Sequence, residues 1–418
     1  MSRAPDTDGP VANASLLGLL VLLYFAQGLP SGLLAKALPS LLREQGVSLS
    51  AIGFTGLLAV PWALKFLWAP FVDRWGTRRR WLLAMTFATL VLMLLVATRD
   101  FAVWVDNAFM PLLCVLLLVN LVAATQDIAT DGLAVSRLTP RLRGLGNSIQ
   151  VIGYKVGMIV GGGFLLWLVA RFGWQTSYVS IAPLLLPVLV ALWFMREPGP
   201  LAERERHAEW HGIRGYAGMF IRFVGRPGLG WWLLAVATFK VGDSLASRMI
   251  GPLLTDRGLS LAEIGLLTGV AGSVAGMLGA LLGGMFLLRM GHRNALMLFG
   301  ALQATGLAGY AWLASGTTDA AVLYLVVCGE QFADGLSTVA LFTLMMDVCR
   351  PQSPGTDYSL QASLHVTVAG LASLASGVVA QLLGYGVVFA AGAALTLFAL
   401  LPVWLYFRAA SRTDTVAA

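Results

Sequence analysis

Residues 41–53 read LLREQGVSLSAIG, and residues 253–265 read LLTDRGLSLAEIG. The two stretches match at seven of thirteen positions when the chain is shifted by 212 residues. A second match relates DIATDGL at 127–133 to EQFADGL at 330–336. A chain of 418 residues that repeats itself at about half its length is expected to consist of two similar halves.

Composition places both halves in a membrane. Hydrophobic residues make up 58% of the chain and charged residues 12%, whereas soluble domains carry about 25% charged residues. Twelve apolar stretches are each long enough to cross about 30 Å of hydrocarbon at roughly 1.5 Å per residue. In chain order these predicted spans 1 to 12 are 14–41, 50–72, 81–98, 109–136, 146–170, 177–195, 229–254, 262–288, 294–314, 320–348, 358–382 and 385–407. We therefore expect an all-α integral membrane protein with twelve transmembrane helices in two pseudo-symmetric six-helix halves.

The arginines indicate which way the chain crosses the membrane. With an even number of spans both tails share a side, and 19 of the 24 arginines fall in the tails and connections of that side. Positive residues stay in the cytoplasm, so both termini are predicted to be cytoplasmic. The net charge of +7 then reflects membrane topology, and no nucleic-acid partner is expected. The predicted parts are a tail at 1–13, bundles at 14–195 and 229–407, a cytoplasmic linker at 196–228 and a tail at 408–418.

All four lysines lie inside predicted spans, at positions 36, 65, 155 and 240. A charged side chain at the centre of a membrane costs roughly 2.5–3.5 kcal/mol on insertion scales. Such residues persist mainly where they face the interior of a helix bundle or a watery cavity. The charged interior is therefore where we expect the function to reside.

The connection after span 2 reads APFVDRWGTRRR at 69–80. It resembles the signature loop of the major facilitator superfamily, with Ala69 in place of the first glycine. The resemblance covers the whole chain through the twelve spans and the repeat. It implies that Asp73, Arg74, Gly76 and Arg78 form a latch that opens and closes during transport. The matching loop of the second half keeps Gly291 but has Leu288 where the acid would stand.

Within the superfamily, the stretches GLPSGL, KFLWAPFVDRWG and QDIATDGLAV resemble AmpG-type muropeptide permeases. They resemble still more the importers of ferric siderophores of the rhizobactin and pyochelin type. The compact length, together with LREQGVSLSAIG and PWALKFLWAP, favours the siderophore group. A ferric siderophore is therefore the first substrate expected, and an anhydromuropeptide is the second.

The superfamily resemblance implies that spans 1, 4, 7 and 10 line a central cavity, and these spans carry most of the intramembrane charge. Candidate substrate contacts are Lys36, Lys240, Arg248, Tyr24, Gln27, Trp62, Tyr154 and Phe239. For the cations, structural pairing with acids remains an alternative, as packing does for the aromatic residues. Lys65 and Lys155 are expected to pair with acids.

Acids spaced four residues apart share one face of a helix. Two carboxylates close together in an apolar site favour retention of a proton by one of them, which suits proton coupling. The candidates are Asp127, Asp131, Asp243, Glu330 and Asp334, with the first two preferred. The alternative is that these acids only neutralise the lysines.

The predicted function is a secondary transporter of the bacterial inner membrane that imports an anionic small molecule by alternating access. No P-loop, metal-spaced cluster or nucleophile motif is present in the sequence, so neither an enzyme nor a cofactor or metal is expected. Protons and the lipid bilayer are the other expected partners, and a monomer is the superfamily's usual state. Facilitated diffusion, and export of a metabolite or drug, remain alternatives.

Overall fold

The computed structural model describes residues 10–48, 52, 54–195, 212–316 and 319–416. Throughout these residues the regular structure is helical. Nine stretches of the described chain are long and apolar enough to cross a membrane, and one of them, Gly265–Ala314, contains predicted spans 8 and 9. Spans 2 and 7 are the two predicted crossings missing from the nine, because each is broken into shorter helices. The all-helical prediction is confirmed, and the helices are consistent with twelve crossings.

The helices agree with the predicted spans to within a few residues at most ends. Three spans have extra length: the helix of span 4 begins before a kink at Ala108, that of span 5 begins at Pro140, and that of span 12 continues to Val416. Helix Gly212–Val224 lies in the predicted linker, of which residues 196–211 are outside the described part. The α-helices are Pro10–Gly32 and Leu38–Glu44 in span 1, Val60–Leu64 and Ala69–Arg74 in span 2, Arg78–Val96 in span 3, Phe101–Arg137 in span 4, Pro140–Ile159 and Leu165–Phe172 in span 5, Trp174–Ile181 and Leu186–Phe194 in span 6, Leu229–Thr238 and Val241–Asp256 in span 7, Leu261–Ile264 and Gly272–Met290 in span 8, His292–Ala314 in span 9, Ala320–Val348 in span 10, Pro354–Leu383 in span 11, and Tyr385–Phe398 and Leu400–Val416 in span 12.

Spans 2 and 7 both break at a lysine. In span 2 a short 3₁₀ segment, Lys65–Leu67, separates two short helices that each have a proline in their first turn. Proline lacks a backbone donor and fits the start of a helix better than its interior. In span 7 the backbone at Lys240 leaves helical geometry, with φ −108° and ψ 8°. Both lysines therefore lie where the regular α-helix of their span is interrupted.

Pairs of glycines with positive φ reproduce the sequence repeat in three dimensions. Gly46 and Gly258 have φ values of 75° and 86°. In both turns the residue after the glycine donates a backbone hydrogen bond to a carbonyl five residues earlier, 3.0 Å from Val47 to Leu42 and 3.2 Å from Leu259 to Leu254. This is a Schellman ending, in which glycine accepts the left-handed conformation without a Cβ clash. The matching residues therefore build matching helix ends.

The chain forms two compact units. The first unit comprises residues up to Thr139, Ile152–Ala208 and Arg350–Ser359, and the second comprises Pro140–Val151, Glu209–Cys349 and the chain from Leu360. The start of span 5 thus belongs to the second unit and the start of span 11 to the first, whereas the predicted bundles assign each to the other half. Each unit has its own apolar core.

Spans 1 and 5 pack backbone to backbone within the first unit. A Cβ added to Gly28 would lie 2.3 Å from the Tyr154 carbonyl oxygen, and one added to Gly161 would lie 1.9 Å from that of Leu29. Glycines spaced four residues apart on span 5 allow this approach, as small residues do between membrane helices. The contact fixes the position of span 1 and of the candidate residues that it carries.

Candidate substrate and proton sites

Lys65 is the centre of a buried charge cluster in the first unit. Only 2% of the residue is exposed, and its ammonium group forms an ion pair with Asp127. A second carboxylate, that of Asp131, lies 4.0 Å from the ammonium nitrogen. A buried charge needs a partner because the low dielectric gives it no solvation. Span 4 therefore directs two acids one turn apart toward a single lysine. This agrees with the prediction that Lys65 pairs with acids.

Polar side chains from span 1 complete this cluster. The Tyr24 hydroxyl donates to Asp131 Oδ1 at 3.0 Å, and Gln27 Nε2 donates to Thr130 Oγ1 at 2.9 Å. Both span 1 residues are almost fully buried. Tyr24 and Gln27 were predicted as substrate contacts; in this conformation they bind residues of span 4, and their contact with substrate stays a prediction.

Lys240 is the corresponding buried cation of the second unit. Its ammonium nitrogen donates to Asp334 Oδ1 at 2.7 Å, to Gln303 Oε1 at 3.0 Å and to Ser337 Oγ at 2.6 Å. An ammonium group has three protons, so these acceptors use its full capacity. Lys240 was predicted as a substrate contact, with pairing to an acid of its own helix, Asp243, as the alternative; the structure pairs it with an acid of span 10, Asp334, and its contact with substrate stays a prediction.

Glu330 differs from the other buried acids. It is 1% exposed, and its Oε2 accepts from Gln331 Nε2 at 3.0 Å. Its other carboxyl oxygen is buried without a hydrogen-bond partner. Among the described residues no ion pair with a lysine, arginine or histidine is formed by Glu330. It shares its helix face with Asp334, which is bound to Lys240, but has no cation of its own.

Lys36 and Arg248 occupy equivalent positions in the sequence repeat and are both exposed. In the part of the chain that the structure describes, neither side chain has an ion-pair or hydrogen-bond partner. Lys36 lies in a π-helical turn, Leu33–Ala37, which contacts a second π-helical turn at Val160–Phe164. A Cβ on Gly162 would come within 2.9 Å of the Lys36 Cβ, so this glycine leaves room for the base of the lysine. Such turns frequently occur at functional sites.

The remaining predicted contacts have varied environments. Trp62 donates from its indole nitrogen to Asn120 Oδ1 at 3.1 Å, and the Lys65 ammonium lies 5.5 Å from its ring centroid. Tyr154 is half-buried, whereas Phe239 is fully buried and packs near Gly300. Their assignment to substrate stays a prediction, and the burial of Phe239 argues against direct contact in this conformation. Asp243, one turn from Lys240, is half-buried.

Asp73 binds the start of the span 11 helix, within the first unit. Its carboxylate accepts from the backbone nitrogens of Gly355 at 3.2 Å and Thr356 at 2.6 Å, and from the Thr356 hydroxyl at 2.8 Å. A carboxylate at a helix N-terminus satisfies free N–H groups and interacts favourably with the helix dipole. Arg78 lies 3.6 Å from the same carboxylate.

Gly76 and Arg74 complete the signature loop. Gly76 has a φ of 74° and the loop's counterpart in the second half, Gly291, has a φ of 73°, which explains glycine at both places. Arg74 is half-buried at the end of its helix. The geometry suits the predicted latch, whose opening during transport stays a prediction.

Two groups of contacts were missed in the sequence. Gln303 and Ser337 bind Lys240, and the signal for both was a polar residue within an apolar span. At one end of span 10, Asp347 forms ion pairs with Arg143 and His292. No spacing in the sequence relates these three residues, because they come from spans that are distant along the chain.

Comparison with known families now identifies the fold. Residues 20–372 match the family described as Major Facilitator Superfamily. The chain belongs to this superfamily. Its members are in general transporters and not enzymes, so this is a multi-pass secondary transporter.

Individual relatives give a narrower indication. The chain is 32% identical over 362 residues to the anhydromuropeptide permease of Escherichia coli, a match that covers 83% of this chain and 70% of the permease. The siderophore importer resemblance expected from the sequence is therefore not supported, whereas the muropeptide resemblance is.

Solved structures establish the fold alone. The proton:xylose symporter XylE aligns with a TM-score of 0.72 at 13% identity, over 94% of this chain and 95% of that one. The human organic anion transporter MFSD10 aligns with a TM-score of 0.69 at 17% identity, over 95% of this chain and 100% of that one.

Proposed function

We propose that this protein imports an anhydromuropeptide across the bacterial inner membrane by alternating access, driven by the proton gradient. The observation that carries the proposal is the environment of the four cations on spans 1, 2 and 7. Lys65 and Lys240 are buried and bound to acids, whereas Lys36 and Arg248 are exposed without partners among the described residues. Exposed cations within apolar spans are suited to an anionic substrate.

The position of Lys36 argues against a merely solvated surface charge. It lies eight residues before the end of its span at Glu44, which corresponds to about 12 Å along a helix axis. A lysine at that depth is costly against lipid and is tolerated where water or a ligand reaches it. Arg248 can bind a carboxylate through two parallel hydrogen bonds, which a guanidinium group favours.

Two observations, the relative and the charges, support the proposed substrate class. An anhydromuropeptide consists of amino sugar and peptide, and the peptide carries free carboxylates that match these cations. The 32% identity to the anhydromuropeptide permease supports this choice. A ferric siderophore of the pyochelin type is also anionic, but no contact in the described residues favours it, so it serves as the competing arm of the test.

The test uses Escherichia coli that lacks its own anhydromuropeptide permease and expresses this chain. We expect cytoplasmic accumulation of labelled anhydromuropeptide that a protonophore abolishes, and no accumulation of iron supplied as ferric pyochelin. Accumulation of iron without anhydromuropeptide would show that the proposed substrate is wrong. Accumulation of neither would contradict import itself.

Lys36→Met provides a matched variant for the same assay. A hydrogen bond to a charged group contributes about 1.5–3 kcal/mol, so KM should rise by about tenfold to a hundredfold. Lys36→Arg keeps the charge and should recover most of the affinity. Equal KM values for the wild type and Lys36→Met would remove Lys36 from the substrate site.

A further inference from the structure

Not every buried acid in the spans is equally able to carry a proton. Asp127 is paired with Lys65, and Asp334 is paired with Lys240. Protonation of either acid would leave a buried lysine without its counterion, which costs several kcal/mol. Asp131 accepts from Tyr24 and also lies near Lys65. Asp127 and Asp334 are therefore held in the charged form by their lysines, and Asp131 has a hydrogen-bond donor and a cation within 4.0 Å, neither of which Glu330 has among the described residues.

Glu330 has the opposite environment. Its Oε1 atom is buried and accepts no hydrogen bond, and the described residues provide it with no cation. A charged carboxylate in such a site would lose its hydration without compensation, whereas a neutral carboxyl group would not. Its single hydrogen bond, from Gln331 to Oε2, is compatible with a proton on the other oxygen.

The groups that act on Glu330 come from spans 7, 9 and 10. The nearby charges are those of Asp243, Asp334 and Lys240, and the Lys240 ammonium already binds Asp334. Tyr310 of span 9 lies near Glu330 and has a buried hydroxyl without a hydrogen-bond partner. The one nearby cation is therefore already bound to an acid, and both acids repel a further negative charge. These groups do not stabilise a charged Glu330.

Span 9 also encloses the glutamate sterically. A Cβ on Gly306 would lie 2.8 Å from both the Cα and the Cβ of Glu330, so the two helices are in close contact there. Gln303 and Tyr310 lie on the same face of span 9 as Gly306, because positions three, four and seven apart align on a helix. The Gln303 amide nitrogen is buried without a hydrogen-bond partner, like the Tyr310 hydroxyl. Neither group donates to Glu330, so span 9 encloses the carboxyl group without stabilising a charge on it.

From this geometry we infer that Glu330 is the proton-binding residue of the transport cycle. It holds one proton in the conformation described here. The proton is taken from water on one side of the membrane and returned to water on the other, so that the carboxyl group cycles between neutral and charged forms. The ion-paired acids act as structural counterions, and they include Asp127, which was a preferred candidate in the sequence analysis. This inference rests on the proposed function, since it names the residue that couples import to protons.

The coupling test uses purified protein in proteoliposomes with a pH-sensitive dye inside. One pH unit corresponds to about 1.36 kcal/mol and can support roughly tenfold accumulation at one proton per substrate. The wild type should accumulate anhydromuropeptide and acidify the lumen. Glu330→Gln mimics the protonated acid, so it should still exchange labelled for unlabelled substrate, with an accumulation ratio near one and no proton movement.

Glu263→Gln is the matched control, because Glu263 is an exposed acid of the same half that caps its own helix through Ser260. It should behave like the wild type. Proton movement by Glu330→Gln equal to that of the wild type would overturn the inference. If the wild type moves no anhydromuropeptide, the proposed function fails, and the labelling experiment below still decides the role of Glu330.

Labelling of the wild type needs neither a substrate nor a variant that folds. Dicyclohexylcarbodiimide reacts with protonated carboxyl groups in apolar surroundings. We expect mass spectrometry to find the label on Glu330, with labelling reduced at high pH, and little label on Asp127 or Asp334. Label confined to the ion-paired acids would contradict the inference.

Discussion

Replacing Lys65 by methionine should destabilise the protein far more than the same replacement of Lys36. Lys65 is 2% exposed and its partner Asp127 is 6% exposed, so the variant leaves a buried carboxylate without its counterion. Removing one partner of a buried ion pair typically costs about 3–5 kcal/mol. For a unit of about 150–250 residues, each kcal/mol lowers Tm by about 2–4 °C. The expected decrease for Lys65→Met is therefore about 6–20 °C.

Thermal unfolding of the detergent-solubilised protein, followed by tryptophan fluorescence, measures this difference. The double variant Lys65→Met/Asp127→Leu removes both charges and should recover part of the lost Tm, since an apolar replacement of a buried pair is often tolerated. Lys36→Met removes an exposed charge and should change Tm by at most about 2 °C, as surface substitutions stay within roughly 0.5 kcal/mol. A Tm of Lys65→Met equal to that of the wild type, or a double variant less stable than the single one, would refute the assignment of Lys65 as a structural counterion.

Two further changes test the packing of span 1 and the latch. Gly161→Ala places a methyl group against the Leu29 carbonyl and should lower the free energy of unfolding by about 1–3 kcal/mol. The control Gly163→Ala has open space within 4 Å and should have almost no effect. Equal Tm values for the two variants would argue against the close helix contact. Asp73→Asn removes the charge at the N-terminus of the span 11 helix, worth about 0.3–1 kcal/mol, and should change the rate of substrate counterflow more than Tm, because Thr356 can still donate to the side-chain amide oxygen. An unchanged counterflow rate would restrict Asp73 to a purely structural role.

The fold was largely readable from the sequence because membranes impose simple rules. Apolar length predicted the spans, and the repeat at 41–53 and 253–265 predicted two similar halves. The positive φ of Gly46 and Gly258 shows that the repeat encodes the same helix ending twice. Spans 2 and 7 were predicted as continuous, since hydropathy does not register the local break at Lys65 or Lys240.

The site was only partly predictable. The sequence identified charged residues within the spans and predicted that Lys65 pairs with acids, but it could not separate Lys36 from Lys240, because both were predicted as substrate contacts. Their difference depends on which way each helix face turns. Lys36 lies in the π-helical turn at Leu33–Ala37 and Lys240 at a break in its helix, and neither feature has a signature in composition. The partners of Lys240 come from spans 9 and 10 and likewise required the structure.

Recognition of an anion by the exposed cations is the central claim, and equilibrium binding to the purified protein tests it most directly. The measurement compares the affinity for an anhydromuropeptide with that for its carboxyl-amidated analogue, in the wild type and in Lys36→Ala/Arg248→Ala. We predict that the wild type binds the free acid at least about tenfold more tightly than the amide, as expected from one charge-assisted hydrogen bond, and that the double variant loses this preference. Equal affinity of the wild type for acid and amide, or an unchanged preference in the double variant, would contradict the account.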